Sequence, residues 1–354
     1  MAETLPVGAR IGILGGGQLG RMLALAAARL GMRCHIFEPA DDPCAAQVVE
    51  RVTCAGYDDV EALRAFAASV DVVTYEFENV DLAAVEAVAA ITPVRPGAKA
   101  LEVSQDRLAE KDFLVALGLA TAPYAATDTP EALGDAQMDI DGPAILKTRR
   151  FGYDGKGQVR INAPADAQAA WEALAGAPAI LEGFVDFQCE ISVIAARSLD
   201  GAVSAFDPGE NIHENGILRT TKVPAAVSAD LRGDAVLKAG AILNALNYVG
   251  VIGVEMFVTR KGLVVNEFAP RVHNSGHWTQ DACLIDQFEQ HIRAICGWPI
   301  GDGRRHSDAE MQNLLGDDLL TLDFDAKAGL HIYGKAEARP GRKMGHLTRI
   351  RPPE

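Results

Sequence analysis

No pair of cysteines in this 354-residue sequence carries the spacing of a metal or redox motif. The six (Cys34, Cys44, Cys54, Cys189, Cys283 and Cys296) include no CxxC and read as buried, reduced thiols of a cytosolic protein. No apolar run reaches membrane-spanning length, and Met1-Ala2-Glu3-Thr4 lacks the basic flank and apolar core of a signal peptide, so a cytoplasmic location is expected. Positive charge is scarce, with 33 Lys and Arg against 48 Asp and Glu and a formal net charge of -15. Such a surface repels nucleic acid and anionic membranes, so an anionic substrate would need a local basic pocket. Internal repeats and low-complexity segments are also missing. What remains is a chain long enough for two or three compact units with substantial cores.

From Arg10 to about Pro96, short apolar strands alternate with Ala/Leu-rich helices. Ile11–Leu14, Cys34–Phe37 and Val72–Tyr75 read as strands; Leu19–Leu30, Glu61–Ala68 and Leu82–Ala90 read as helices. That order predicts a parallel α/β sheet with crossover helices. Thr92 to Gly97, rich in Pro and Gly, punctuates the pattern. A helix follows from about Gln105 to Leu117, with Ser104 as its expected N-cap. Strands then become commoner, at Ala144–Lys147, Gly157–Ile161, Ala179–Val185, Glu190–Ala195, Gly253–Thr259 and Leu263–Phe268. The expected architecture is an α/β domain over residues 1–103, a larger α+β domain over 104–300 and a small C-terminal, β-rich lobe over 301–354.

Gly15-Gly16-Gly17-Gln18-Leu19-Gly20 follows a strand, opens a helix and satisfies GxGxxG, with Glu38 near the end of the next strand. Small residues there let backbone N–H groups approach an anion, which leaves NAD(P) binding and a purely structural tight turn both open. A P-loop fails, because Arg21 and Met22 stand where Lys and Ser/Thr are required. A second loop, Thr148 to Gln158, follows a strand ending in Lys147 and carries three glycines among its cations. It suits a flexible cover for polyphosphate, and a solvated hairpin is the competing reading.

Two carboxylates interrupt strongly apolar strands at Glu255 and Glu267. A three-residue hairpin loop, Arg260-Lys261-Gly262, would pair Thr259 with Leu263 and so set Glu255 directly opposite Glu267. A two-residue loop would put the two acids on opposite faces. Facing like charges repel, and a hard divalent cation such as Mg²⁺ relieves them while bridging to nucleotide phosphates. Beyond the hairpin, Arg271 suits an oxyanion clamp, and His273 and Asn274 suit positioning of a small substrate. A helix N-cap at Asn274 or Ser275 is the alternative.

With these residues in place, the chain resembles the 5-(carboxyamino)imidazole ribonucleotide synthase family of the ATP-grasp superfamily. The motifs that carry the resemblance run nearly end to end: Gly15 to Met22, Thr74 to Val80, Asp106 to Lys111, Phe151 to Gln158, Glu210 to Leu218, Asn266 to His277 and Gly341 to His346. The resemblance implies an ATP-grasp fold with an N-terminal Rossmann-like (pre-ATP-grasp) domain, a small C-terminal lobe and a mobile subdomain over about 122–185. It implies ATP and Mg²⁺ as co-substrate and cofactor, aminoimidazole ribonucleotide and bicarbonate as substrates, and a homodimer.

Residue by residue, the resemblance assigns Arg107 and Lys147 to the ATP phosphates, with Gly152, Tyr153, Asp154, Gly155, Lys156, Gly157 and Gln158 closing over them. Glu182 and Val185 would meet the adenine and Glu190 the ribose, with Gly183, Phe184, His213 and Asn266 also among the ATP-binding residues. Glu255 and Glu267 correspond to the Mg²⁺ ligands; Ala269 stands where many ATP-grasp enzymes carry a further Asn, as in this narrower family. The ribonucleotide would bind against Gln18, Leu19, Glu76, Glu78, Tyr153 and Asn274, with its phosphate on Lys335, Arg342 and Lys343. Asp154, Arg271, His273 and Lys335 are the expected catalytic residues, Asp154 holding the exocyclic amine. Three rivals remain at this stage: a formate-dependent glycinamide ribonucleotide transformylase-like ligase, a nicotinamide oxidoreductase built on the first glycine loop, and a non-catalytic nucleotide-binding module.

Overall fold

A computed structural model describes residues 4–152, 155–321 and 326–353. The N-terminal strands β1 (Arg10–Leu14), β2 (Arg33–Phe37), β3 (Arg51–Thr53) and β4 (Val72–Tyr75) form a parallel sheet in the order β3-β2-β1-β4. Its connections carry α1 (Gln18–Arg29) and α2 (Val60–Ala67), and α3 (Leu82–Ala89) follows β4. Strands β1, β2 and β4 are buried almost throughout, as their continuous apolar runs dictate for a sheet covered on both faces. The helix after α4 (Ala98–Ser104) is α5 (Arg107–Ala116). Its cap is Asp106, not Ser104: the Asp106 carboxylate accepts from the Leu108 and Ala109 amides.

A second sheet is antiparallel, in the order β5-β8-β6-β7, from β5 (Tyr124–Thr127), β6 (Ala144–Thr148), β7 (Gln158–Ile161) and β8 (Ala179–Gly183). Helices α6 (Pro130–Ile140) and α7 (Ala167–Ala173) belong to the same unit, whose own small core includes Leu133, Leu146, Ile161 and Leu181. The largest sheet contains β9 (Cys189–Arg197), β10 (Val203–Ala205), β11 (Gly209–Glu214), β12 (Ile217–Val223), β13 (Gly250–Thr259), β14 (Gly262–Ala269), β15 (Asp308–Leu315), β16 (Ala328–Ile332) and β17 (Lys343–Arg351). Its order is β14-β13-β9-β11-β12-β15-β17-β16, with β10 paired to β9. The C-terminal strands therefore do not stand apart: β15 bonds β12, with Thr220 opposite Gln312 and Thr221 opposite Met311. No described helix is long and apolar enough to cross a membrane.

The β13–β14 hairpin corrects one expectation. Its loop has two residues, because Thr259 pairs with Gly262 and Val258 with Leu263. A regular ladder from that turn would place the two acids on opposite faces. The ladder is not regular: Met256 pairs with Val265, yet Glu255 pairs with Glu267, leaving Asn266 as the extra residue of a β-bulge. The acids face each other as expected, through a bulge rather than through a longer turn.

Candidate active site

The three sheets converge on one cavity of about 550 Å³. Its first wall comes from the N-terminal domain, through Gln18, Leu19, Glu76 and Glu78. The glycine loop beside it is already filled by the protein's own carboxylates. Gly16 N–H donates to Glu38 (2.8 Å), while Gly17 and Gly20 donate to the two oxygens of Glu76 (2.5 and 2.7 Å). A Cβ on Gly17 would lie 2.5 Å from Glu76 Oε1, which is why this turn needs glycine. The amides that would hold a dinucleotide's pyrophosphate are spent on side chains, so the loop serves as a carboxylate holder. Burial pushes Glu76 up despite the two amides.

The second wall belongs to the β5–β8 sheet. Lys147 lies opposite Ile180, and Ile145 opposite Glu182, so Lys147 and Glu182 share a face one step apart. Their Nζ–Oε1 distance is 3.1 Å, and Lys111 Nζ lies 3.2 Å from the other oxygen. Burial pushes Lys147 down, with Glu182 opposing it; burial would likewise raise Glu182, but the lysines hold it below the usual carboxylate range. Gly152, Gly155, Lys156 and Gln158 line the cavity from the β6–β7 connection, whereas Gly157 does not. Tyr153 and Asp154 lie outside the described residues.

The large sheet supplies the floor. Glu255 and Glu267 occupy facing positions on β13 and β14, with side-chain exposures of 19% and 39%, and both line the cavity beside Asn266. Arg107 Nη1 reaches Glu267 at 2.6 Å. Burial alone would raise both acids. Arg107 and Lys147 instead hold Glu267 down to about 2, while the Glu267 charge drives Glu255 further up, to about 7. Glu255 thus keeps its proton to a much higher pH than Glu267, and a cation bound beside the two would favour its ionised form. Among the described residues, no three His, Cys, Asp or Glu gather at metal-binding separation. The donor set fits a hard divalent cation held by two carboxylates and otherwise open to phosphate oxygens and water.

Other predicted residues complete the floor. Glu190 and His213 pair at 2.8 Å; burial lowers His213, but the Glu190 bond outweighs it and raises the imidazole overall. Arg271 forms an ion pair with Glu78, which stays below the usual carboxylate range although burial opposes it. His273 lies 3.4 Å from Glu255 and bonds Ser275 through Nδ1; burial, then Arg271, pushes it down to about 3, so it is neutral. Its side chain packs so close to β13 that a Cβ on Gly253 would sit 2.5 Å from His273 Cβ. The cap of the short turn Asn274–Gly276 is His273, not Asn274 or Ser275. Asn274 lines the cavity but exchanges two amide hydrogen bonds with Asn313 (2.9 and 2.6 Å).

At the far end, Lys343 lines the cavity, whereas Lys335 and Arg342 are not part of the lining. Lys335 donates to the Lys343 carbonyl (2.8 Å), and burial, helped by Arg342, lowers it to about 8. Arg342 donates to the Glu337 carbonyl. Glu182 and Gly183 are buried beneath the lining, Val185 is half-buried, and Phe184 is exposed with the Arg160 guanidinium 4.4 Å from its ring centroid. Sequence reasoning missed Phe77, Asn79, Gly216, Leu218 and Phe257 in the lining. Phe77 and Asn79 sit in a motif singled out for its two glutamates, and Phe257 follows Glu255 by two on the same strand face.

Comparison with known proteins agrees with this arrangement. Residues 9–105 match the ribonucleotide synthetase preATP-grasp domain, 112–288 the ATP-grasp domain, and 309–353 the phosphoribosylaminoimidazole carboxylase C-terminal domain. The N5-carboxyaminoimidazole ribonucleotide synthase of Brucella melitensis is 54% identical over 355 residues, covering 99% of this chain and 98% of that protein. Its Bacillus subtilis counterpart is 43% identical, covering 98% and 93%. A crystal structure of an N5-carboxyaminoimidazole ribonucleotide synthetase with ADP superposes with a TM-score of 0.96 at 41% identity, covering 99% of this chain and 94% of the other. The Aspergillus clavatus enzyme with ADP and 5-aminoimidazole ribonucleotide gives 0.92 at 32% identity, covering 98% and 94%. Matched along nearly its whole length by relatives 54% and 43% identical, the chain belongs to the N5-carboxyaminoimidazole ribonucleotide synthase family of ATP-grasp ligases.

Proposed function

We propose that this protein uses ATP to carboxylate 5-aminoimidazole ribonucleotide with bicarbonate, giving the N5-carboxyamino product in purine biosynthesis. The observation that carries this reading is the union, in one cavity, of the facing Glu255 and Glu267 with the cations Arg107, Lys147, Arg271 and Lys343. Bicarbonate is a poor electrophile because hydroxide leaves badly. Its oxygen attacks the γ-phosphorus, ADP departs, and carboxyphosphate forms. Loss of inorganic phosphate frees CO₂ beside the amine; the N–C bond forms as the nitrogen gives up a proton.

Each part of that sequence has residues suited to it. Glu255 and Glu267 would hold Mg²⁺, which supplies charge neutralisation for the transferred phosphoryl group. Lys147 and Arg107 add fixed positive charge on the same side. Arg271, oriented by Glu78, and neutral His273 would hold bicarbonate. Asp154 would accept the amine proton. Lys335, Arg342 and Lys343 would anchor the ribonucleotide phosphate, and Gln18, Leu19, Glu76 and Glu78 its base and ribose. The Gly152–Gln158 stretch would exclude water while the labile intermediate exists. A homodimeric, cytoplasmic enzyme is the form the resemblance supports.

The test is phosphate release from ATP and Mg²⁺ with each substrate withheld in turn. Full turnover should require both aminoimidazole ribonucleotide and bicarbonate, and Asp154→Ala should keep ATP binding while losing carboxylation. Release that depends on formate instead would favour a transformylase, and unchanged carboxylation by Asp154→Ala would remove that residue's role.

A further inference from the structure

The bulge that brings Glu267 round to Glu255 has its own support. Strand β14 is the outer strand of the large sheet, so its free edge must find partners elsewhere. Helix α5 supplies them on both sides of Glu267. Lys111 Nζ donates to the carbonyl of Asn266, the extra residue of the bulge, at 2.6 Å. Phe268 N–H donates to Glu110 Oε1 at 2.7 Å. Both side chains are almost fully buried, at 2% exposure for Lys111 and 3% for Glu110. Arg107, three residues before Glu110 and four before Lys111, is on the same helical face and bonds the Glu267 carboxylate itself.

Burying an amine and a carboxyl this deeply costs several kcal/mol unless each is well bonded. Spending that on two backbone groups flanking one carboxylate fixes both peptide planes around it. Helix α5 is itself held at its start: Arg149 makes a bidentate ion pair with Asp106, and the Arg107 amide donates to the Arg149 carbonyl. We propose that Glu110 and Lys111 are positioning residues, which clamp the β14 bulge and so keep Glu267 facing Glu255 for the divalent cation. This inference rests on the reading of that carboxylate pair as the cation's ligands.

The test measures ADP affinity of the full-length protein twice, with Mn²⁺ and with EDTA; the ratio reports how well the carboxylates hold the ion. Lys111 also touches Glu182, but any effect through that contact enters both arms and cancels. Lys111→Met and Glu110→Ala should each shrink the Mn²⁺-dependent gain by roughly tenfold, as loss of outer-shell support does at other metal sites. Glu110→Gln keeps an oxygen for the Phe268 amide and should retain the gain. Hydrogen exchange should show the Phe268 amide losing protection in Glu110→Ala, while Ile194 in the middle of the sheet keeps it. Glu267→Gln is the reference. If it loses the gain while Lys111→Met and Glu110→Ala keep it, the positioning role is overturned and the cation site stands. If Glu267→Gln also keeps it, the cation site itself falls. A Glu110→Gln protein as impaired as Glu110→Ala likewise overturns the role, and this comparison with Lys111→Met suffices should Glu110→Ala not fold.

Discussion

Replacing Glu255 with Gln should make the metal-free protein more stable while disabling it. The carboxyl is displaced from an ordinary 4.5 to about 7 by burial and by the Glu267 charge. Holding it ionised in the folded protein therefore costs ~3 kcal/mol at most, and ~1–3 kcal/mol once the titration is shared with Glu267. Because the folded value is raised, the protein loses stability as pH climbs from the ordinary value towards 7, and the loss is complete above that. Glu255→Gln has no such loss, and its amide oxygen can still accept from His273 Nε2, 3.4 Å from the original carboxylate. Urea denaturation without metal should give matching stabilities below the ordinary value, at about pH 4, and a variant more stable by ~1–3 kcal/mol at about pH 8. Adding ADP with Mg²⁺ should reverse the order, raising the native protein well above the variant. A variant no more stable than the native protein at the higher pH would refute the argument that the acids face each other at close quarters.

Two further outcomes follow from the walls of the cavity. Lys147→Met should lower kcat/KM for ATP by roughly 10²-fold, as loss of a preorganised charge at a transferring group does; steady-state kinetics with varied ATP checks it, and a smaller effect on ATP than on bicarbonate would contradict the placement. Glu190→Gln should let the His213 imidazole fall back from its raised value, since the 2.8 Å contact sustains the shift. The charged pair is complete below the ordinary 6.5 and is lost as pH rises through the raised value; an NMR titration of His213 unchanged in the variant would reject this.

The sequence was most legible where periodicity and chemistry coincided. Strands β1, β2 and β4 and helices α1 to α3 were visible within a residue or two, because a buried parallel sheet writes itself as unbroken apolar runs. Lys147 and the two hairpin acids stood out as charges interrupting such runs. The bulge did not, since an extra residue leaves no mark on a hairpin whose turn length is itself uncertain from sequence. The cap of α5 was missed because Ser104 and Asp106 both suit that position, and only the structure shows Asp106 bonding Leu108 and Ala109. Glu110 and Lys111 entered only as part of the Asp106–Lys111 motif, with no role assigned; their burial depends on β14, distant in the chain. The first glycine loop was ambiguous for a related reason. Its amides suit any anion, and that the anion is the protein's own Glu76 is a fact of tertiary packing.

The sheet order also sets which parts of the cavity can change separation. Glu255, Glu267, His213 and Lys343 all belong to one continuous hydrogen-bonded ladder, from β14 through to β17. Drawing Glu255 away from Lys343 would mean breaking backbone bonds. Lys147 belongs to a different ladder, joined to the first by side chains and by the chain itself. The molecule thus resembles a vice with one cast jaw: Glu255, Glu267, His213 and Lys343 stand at fixed intervals on it, while Lys147 and the Glu76 wall are each carried on a separate sheet.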